Sequence, residues 1–217
     1  MISFEQVTKR YPGGHVALAD ATLTVASGEM LVLIGHSGAG KTTVLKLMAA
    51  IERPSSGTLM MNGQNVGALR RGSVPFFRRH FGLVFQDHKL LYDRSVLDNA
   101  MLPLDIQGLA RGESLRRARA ALDRVGLLAR QNSLPVTMSG GEQQRLCIAR
   151  AIVHNPRVLL ADEPTANLDP AYAMEIAELL RTFNSSGVTC VVATHDPEVT
   201  ARLQGRVLSL QEGRVST

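Results

Sequence analysis

One glycine-rich segment constrains this chain more than any other feature of its sequence. Residues 35–42 (GHSGAGKT) fit the pattern G-x-x-x-x-G-K-[ST] at every fixed position. The apolar run at 30–34 predicts a buried strand before this segment, and residues 43–48 predict a helix after it. A glycine loop between a strand and a helix suits phosphate, because backbone N–H groups and the helix N-terminus both attract an anion. We therefore expect the chain to bind a nucleoside triphosphate.

The residues of this loop have expected contacts with the nucleotide. Lys41 is expected to reach the β- and γ-phosphates, and the Thr42 hydroxyl is expected to bind Mg²⁺. No Asn-Lys-x-Asp motif that would read guanine occurs in the sequence, which favours ATP over GTP. The predicted phosphate-binding residues are Gly35, His36, Ser37, Gly38, Ala39, Gly40, Lys41, Thr42 and Thr43.

The composition is that of a globular protein that needs no covalent cross-link. A chain of 217 residues with 45% apolar residues can bury a core as one domain, with or without an inserted subdomain. Cys147 and Cys190 lie among apolar neighbours without C-x-x-C spacing, so we expect buried, reduced thiols in a cytoplasmic protein. We expect no signal peptide, and no apolar run approaches the roughly 18–20 residues of a membrane span.

The net charge of +5 is concentrated in arginine clusters at 70–79 and 111–130. Such clusters are compatible with nucleic acid or anionic lipid, but a solvated helix face is the commoner explanation. With three Tyr and no Trp, a stacking platform for single-stranded nucleic acid is poorly supported. We expect no nucleic-acid partner.

Strand and helix signals alternate along most of the chain and predict an α/β fold with a largely parallel sheet. Between residues 88 and 156 the strand signals vanish, and helical periodicity appears at 96–102, 114–125 and 140–153. We expect an α/β core formed by 1–87 and 157–217, with 88–156 as a helical insertion. Strands are predicted at 2–7, 21–25, 58–63, 81–85, 157–161, 188–193, about 207–210 and around 215, and a further helix at 171–183.

Polar residues that end two predicted strands are candidates for catalysis. Asp162 and Glu163 follow an apolar run, and ligands of a doubly wound sheet gather at the carboxyl ends of its strands. Asp162 is expected to hold Mg²⁺ through the water shell of the metal, and Glu163 to orient or deprotonate the attacking water. His195 follows the strand at 188–193, where it could donate a hydrogen bond to a γ-phosphate or simply lie near the N-cap of the next helix.

A second anion site is predicted at Ser139-Gly140-Gly141-Glu142. Ser139 and Glu142 have the spacing of a capping box, so a helix should begin here. Two glycines in its first turn each cost about 1 kcal/mol relative to alanine. We interpret them as allowing close approach to the backbone of a helix N-terminus, although a capped helix with incidental glycines is the alternative.

Together, and in this order, these motifs resemble the nucleotide-binding subunit of ATP-binding cassette (ABC) ATPases. The resemblance implies an ABC cassette fold, with an antiparallel β subdomain beside the parallel core. It implies that Tyr11 stacks on adenine, that Gln86 contacts the metal and the reacting phosphate, that Ser139–Gln143 is the signature motif, and that His195 is the switch histidine. Residues 166–169 match the D-loop, which assigns Asp169 to the nucleotide site. It also implies a homodimer in which the phosphate loop of one subunit and the signature helix of the other close on ATP.

Within this family, residues 85–96 (FQDHKLLYDRSV) are similar to the branch that acts in bacterial cell division with an FtsX-like membrane partner. The lipoprotein-release and macrolide-export ATPases share most of these motifs and are the alternative. A soluble ABC ATPase acting on nucleic acid is remoter, because such proteins usually carry two cassettes or a long coiled-coil insertion. We expect docking of the membrane partner near Asp87–Val96 and a peripheral location on the cytoplasmic face of the inner membrane.

Overall fold

The chain forms two β-sheets in a computed structural model, which describes residues 1–216. The strands are β1 (Ile2–Arg10), β2 (Val16–Val25), β3 (Met30–Ile34), β4 (Ser56–Met61), β5 (Gln64–Asn65), β6 (Phe81–Val84), β7 (Val158–Asp162), β8 (Thr189–Ala193), β9 (Arg206–Gln211) and β10 (Arg214–Ser216). The α-helices are α1 (Lys41–Met48), α2 (Val74–Arg78), α3 (Val96–Ile106), α4 (Arg111–Arg124), α5 (Gly140–Ile152), α6 (Pro170–Ser185) and α7 (Pro197–Leu203).

The larger sheet brings the ends of three central strands together. Its order is β10-β9-β3-β8-β7-β6, and every neighbouring pair is parallel except β10 with β9. In its register Leu33 of β3 pairs with Ala193 of β8, and Asp162 of β7 pairs with the same Ala193. The carboxyl ends of β3, β7 and β8 therefore lie side by side, and the predicted phosphate loop, acidic pair and histidine follow them.

The central strands are apolar throughout because both of their faces are buried. On β3, Leu31 packs in a core shared with α1 and the smaller sheet, whereas Val32 packs in a core shared with helices α3 to α6. The smaller sheet has the order β2-β1-β4-β5 and is antiparallel. The predicted fold class, a mainly parallel core with an antiparallel sheet and a group of helices, is confirmed.

Helices α3, α4 and α5 follow one another between β6 and β7. They pack mutually in one core, to which Leu104, Leu122 and Leu146 each contribute a fully buried side chain. This is the part of the chain in which helical periodicity replaced the strand signals. The bounds 88–156 for a separate subdomain stay a prediction.

Several elements differ from the bounds expected from the sequence, and tertiary contacts account for the largest differences in bounds, at α3 and β2. Helix α3 continues past residue 102 to Ile106 and includes Pro103, since the buried Leu104 anchors its last turn. Strand β2 begins at Val16 rather than at 21, since β1 pairs with it along its length. Helix α2 was not predicted; it has only five residues and one buried side chain, Phe77.

Two further expectations concern the membrane and the cysteines. Among residues 1–216 no helix is long and apolar enough to cross a bilayer. Cys147 and Cys190 are free and buried, as expected. Burial raises the pKa of each thiol to about 12, so both are protonated at neutral pH.

Candidate nucleotide-binding site

The glycine loop joins the carboxyl end of β3 to the N-terminus of α1 and requires glycine at two of its positions. Gly35 has φ +149 and Gly40 has φ +110. A Cβ atom on Gly35 would lie 2.4 Å from the carbonyl oxygen of Leu210, and one on Gly40 would lie 2.5 Å from that of Ala17. Both distances are well inside van der Waals contact, so no larger residue fits at either position. The loop is therefore packed tightly against β2 and β9.

The N-terminus of α1 offers donors that the protein itself does not use. Within residues 1–216, the backbone N–H groups of Lys41, Thr42 and Thr43 have no protein acceptor. Lys41 is 7% exposed, and its Nζ atom donates to the carbonyl oxygens of Gly35 at 2.7 Å and His36 at 3.3 Å. Unused N–H groups, a positive helix end and a buried ammonium group form a site that fits a phosphate chain.

Thr42 and Asp162 provide two neighbouring oxygen atoms beside this loop. The Thr42 hydroxyl donates to Oδ1 of Asp162 at 3.1 Å, and Asp162 is 8% exposed. Burial raises the pKa of the Asp162 carboxyl above its usual range, and the Thr42 hydrogen bond opposes that shift. Among the described residues no group of three or more His, Cys, Asp or Glu could hold a metal alone. Two protein oxygens fit Mg²⁺, which binds through few side chains and completes its coordination with phosphate and water.

Glu163 lies between a lysine and a histidine. Its Oε1 atom is 3.4 Å from Nζ of Lys41, and its Oε2 atom is 3.0 Å from Nδ1 of His195. The backbone of Glu163 has φ +46, in the left-handed region that non-glycine residues seldom adopt. Its N–H group donates to the carbonyl oxygen of Ala193 at 2.9 Å, which fixes this turn to β8. The strained turn directs the carboxylate toward the phosphate loop, where such strain is typical of functional residues.

The loop and helix residues from His36 to Thr43 line one cavity of about 400 Å³ together with Glu163 and His195, a volume typical of small-molecule sites. Gly35 and Asp162 are not among its lining residues. Tyr11 reaches the cavity from the segment between β1 and β2, with its hydroxyl 3.5 Å from Oγ1 of Thr43. The Nζ atom of Lys9 lies 4.9 Å from the centre of the Tyr11 ring. Sequence reasoning missed His15 and Ala17; their only signal was the turn that places Tyr11. The predicted site residues lining the cavity are Tyr11, His36, Ser37, Gly38, Ala39, Gly40, Lys41, Thr42, Thr43, Gln86, Glu163 and His195.

The predicted second anion site does not line this cavity. Helix α5 begins at Gly140 with a capping box: Oγ of Ser139 accepts from the N–H of Glu142 at 3.3 Å, and Oε2 of Glu142 accepts from the N–H of Ser139 at 2.8 Å. Ser139 and Gly140 are exposed. Gly141 is buried, and a Cβ atom there would lie 3.3 Å from the Tyr172 ring, so packing within the chain accounts for this glycine.

Asp169 also lies outside the cavity. It is exposed at the N-cap position of α6, where its side chain makes no capping hydrogen bond. The sequence-predicted site residues therefore fall into two groups: those around the glycine loop, which the fold brings together, and Ser139–Glu142 with Asp169, which lie outside the cavity. In the second group Ser139, Gly140 and Asp169 are exposed to solvent.

The larger sheet has a glycine loop between a central strand and a helix, and a threonine, two acids and a histidine flank this loop. This arrangement defines a P-loop nucleotide-binding protein. The family model described as ABC transporter matches residues 18–166. The chain belongs to the ABC transporter family.

The relatives described below match along nearly their whole length. The cell division ATP-binding protein FtsE of Escherichia coli strain K12 is 50% identical to this chain, and the match covers 99% of this chain and 97% of the length of that protein. The dimeric structure of MJ0796, a bacterial ABC transporter cassette, is 34% identical with a TM-score of 0.92, covering 100% of this chain and 97% of that one. A dimeric post-hydrolysis state of the same cassette, bound to ADP and Pi, is 33% identical with the same TM-score and coverage.

Proposed function

We propose that this chain is the ATP-binding and ATP-hydrolysing subunit of a bacterial cell-division complex, in which it dimerises on ATP and drives an FtsX-like membrane protein. The observation that carries the enzymatic part is the position of Glu163 between Lys41 and His195 at the edge of the phosphate cavity. The similarity to FtsE over nearly the whole chain carries the cellular part. An exporter ATPase of the lipoprotein-release or macrolide type is the alternative, because such proteins share the same motifs.

Phosphate binding is assigned to the glycine loop and the first turn of α1. The free N–H groups of Lys41, Thr42 and Thr43 would donate hydrogen bonds to the phosphate oxygens. Lys41 donates to two loop carbonyls, which hold its side chain beside the cavity. Tyr11, which lines the same cavity, would stack on the adenine ring. The internal contacts of the loop restrict its conformation, which lowers the entropic cost of binding.

The magnesium site is assigned to Thr42, Asp162 and Gln86. The hydroxyl of Thr42 and the carboxylate of Asp162 are hydrogen-bonded to each other. The hydroxyl oxygen would bind the ion directly, and Asp162 would hold it through the water shell of the metal. Gln86 follows β6, next to β7, and lines the cavity. A bound Mg²⁺ would neutralise charge that develops on the phosphate oxygens during hydrolysis.

Water activation is assigned to Glu163. A carboxylate can accept a proton from water as the oxygen attacks the terminal phosphorus, which releases ADP and phosphate. His195 contacts the same carboxylate and is exposed on its other side, so it can hold the carboxylate in position and donate to a phosphate oxygen. Both side chains leave adjacent parallel strands, which makes their separation a property of the sheet.

Dimerisation is proposed because one chain leaves part of the site facing solvent. Ser139–Glu142 and Asp169 lie outside the cavity that the glycine loop forms. A two-fold dimer would bring the signature helix of each copy to the glycine loop of the other and form two identical sites. The related MJ0796 cassette has been solved as a dimer, which supports this arrangement.

The membrane partner is proposed to dock near Asp87–Val96, in the groove beside this segment. The groove has a volume of about 330 Å³ and is lined by apolar side chains that include Phe85, Leu102 and Ile106. Ile106 is 66% exposed and lines this groove together with other apolar side chains, and an exposed apolar patch of this kind is typical of an interaction site. The charged residues that line the groove are basic: Arg78, Arg79, Lys89 and Arg150. We therefore expect a short amphipathic helix with apolar anchors and acidic flanks.

The docking segment is attached to the helical part of the chain, which we propose acts as a unit over 88–156. The Asn99 side chain of α3 accepts from the N–H of Leu91 at 2.9 Å and donates to the carbonyl oxygens of Leu91, Arg94 and Ser95. A partner that pulls on this segment would therefore move α3. Docking would also hold the chain on the cytoplasmic face of the inner membrane.

Copurification from detergent tests the cellular assignment. The chain should copurify with the FtsX-like protein of its own cell, and Ile106→Asp should abolish copurification while ATP binding stays normal. Val207→Asp is the matched control, because Val207 is also an exposed apolar residue, 43% exposed, but lies on β9, across the sheet from the groove. Association with a lipoprotein-release or macrolide-export permease instead would favour the alternative.

A further inference from the structure

Two consecutive residues just after Gln86 have an unusual backbone conformation. His88 has φ +53 and Lys89 has φ +50. Neither is a glycine, and non-glycine residues in this region persist only where surrounding contacts hold them. Gln86 itself is one of the residues that line the phosphate cavity. The contacts that hold His88 and Lys89 therefore act close in sequence to a residue that lines the cavity.

Those contacts come from the far end of the signature helix. Arg150, in the last turn of α5, donates from Nη2 to the carbonyl oxygen of His88 and from Nη1 to that of Lys89, each at 2.6 Å. The Sγ atom of Cys147, one turn earlier on the same helix, donates to the His88 carbonyl at 3.3 Å. A planar guanidinium group can serve two successive carbonyls in this way, whereas a lysine ammonium is a single point donor.

The core holds the other side of Gln86. Strand β6 ends at Val84, and its pairing with β7 carries the chain to the edge of the sheet where Asp162 lies. Gln86 is therefore the junction between a segment fixed to the sheet and one fixed to α5. Helix α5 begins beside Ser139 at its opposite end.

We propose that Arg150 is the positioning residue for Gln86, and that through it the signature end of α5 and the Gln86 segment move together. The inference rests on the proposed function, because Gln86 has a task only if the cavity holds nucleotide. Loss of the two-carbonyl contact would leave phosphate binding intact, since Lys41 and the N-terminus of α1 are untouched. It would slow hydrolysis, since Gln86 would no longer be held at the reacting end of the cavity.

A double-mutant cycle on Gln86 and Arg150 tests the link. Arg150→Lys should lower kcat by about tenfold with little change in ATP affinity. In a Gln86→Ala background the same substitution should change kcat by less than about twofold, because the group through which Arg150 acts is already gone. Equal fold-changes in the two backgrounds would show that Arg150 acts only on general stability and would overturn the proposal.

Hydrogen exchange supplies a readout that does not depend on turnover. The N–H groups of His88 and Lys89 donate within their own segment, to the carbonyl oxygens of Phe85 and Asp87. In Arg150→Lys they should exchange faster, while the amides of α6 keep their protection. Unchanged hydrogen exchange at residues 86–91 in this variant would show that Arg150 does not hold the segment, and it would overturn the proposal. A wild-type chain that exchanges as expected but hydrolyses no ATP would instead count against the proposed function.

Arg181→Lys is the matched control for the loss of a forked arginine contact. Arg181 also serves two acceptors, Oε1 of Gln204 at 2.8 Å and Oε1 of Glu178 at 3.0 Å, but it lies on α6 and touches neither Gln86 nor α5. Its substitution should leave kcat and the exchange of residues 86–91 unchanged. A loss of activity as large as that in Arg150→Lys would mean that any such substitution disturbs the enzyme, and the proposal would fall.

Discussion

The Thr42 hydroxyl donates a hydrogen bond to Oδ1 of Asp162 at 3.1 Å, across 120 positions of sequence. Thr42 lies in the first turn of α1, and Asp162 is the last residue of β7. The contact joins the phosphate loop to the strand that carries the acidic pair. Several properties of the site follow from this relationship and from the ion pairs beside it.

Asp162→Asn is expected to stabilise the fold while it abolishes magnesium-dependent hydrolysis. Because burial raises the pKa of this carboxyl, the folded chain keeps the proton to a higher pH than the unfolded chain does. The stability that this group contributes therefore falls as the pH rises from 3.8, the ordinary pKa of the carboxyl, through its raised pKa in the folded chain. Asparagine carries no charge and can still accept from Thr42, so we expect a gain of about 1 kcal/mol at neutral pH.

Urea unfolding without nucleotide or metal measures that gain, and phosphate release with Mg²⁺ measures the loss. Thr42→Val is the companion variant: it removes the hydroxyl and leaves the carboxylate buried without its donor, so it should destabilise the fold. A destabilised Asp162→Asn protein would contradict our account of the buried charge.

Glu163→Gln is expected to bind ATP normally and hydrolyse it at least about 100-fold more slowly, which is the usual contribution of a general base. The glutamine keeps the size of the side chain and can still contact His195, so the site stays assembled. Single-turnover phosphate release and equilibrium nucleotide binding separate the two effects. His195→Ala should likewise slow hydrolysis with binding nearly intact; turnover at the wild-type rate in Glu163→Gln would remove Glu163 from its assigned role.

Dimerisation is expected to require ATP and the exposed signature residues. Light scattering should show a dimer in Glu163→Gln with ATP and Mg²⁺, because slow hydrolysis lets the closed state accumulate. Adding Ser139→Arg should return the protein to a monomer, because Ser139 is exposed and a long cationic side chain would block close approach. The control is Glu163→Gln with Arg124→Lys, a change at an exposed position of α4. A dimer that survives Ser139→Arg would mean that the subunits meet through another surface.

His154 is expected to limit stability at mildly acidic pH. Burial lowers the pKa of this imidazole below its ordinary value of 6.5, and its Nε2 atom lies 3.0 Å from the carbonyl oxygen of Phe81. The unfolded chain therefore binds more protons, and stability is lost as pH falls from 6.5 toward the lower native value. His154→Gln should reduce this pH-dependent loss of the free energy of unfolding. The loss removed amounts to about 1.4 kcal/mol for each unit by which the folded and unfolded pKa values differ. Thermal melting at several pH values measures it, and an equally steep loss in the variant would assign it to another group.

Much of the fold could be predicted because its signals are local. The apolar runs at β3, β7 and β8 identify strands buried on both faces, and the capping box at Ser139 correctly gave the start of α5. Element ends were less certain, since they depend on distant contacts: the buried Leu104 extends α3 through Pro103, and β1 extends β2 back to Val16. The five-residue α2 is too short to show a period.

The sequence by itself determined the chemistry of the site, because the glycine loop and the polar residues that end β7 and β8 are each complete within a few positions. The tertiary structure alone decided which of these groups meet. Parallel pairing of β7 with β8 brings Glu163 to His195, and the return of β7 beside α1 brings Asp162 to Thr42. The tertiary structure also decided that Ser139 is exposed to solvent. It decided that Arg150 donates hydrogen bonds to the backbone after Gln86, since no local sequence pattern predicts a contact between residues about 60 positions apart.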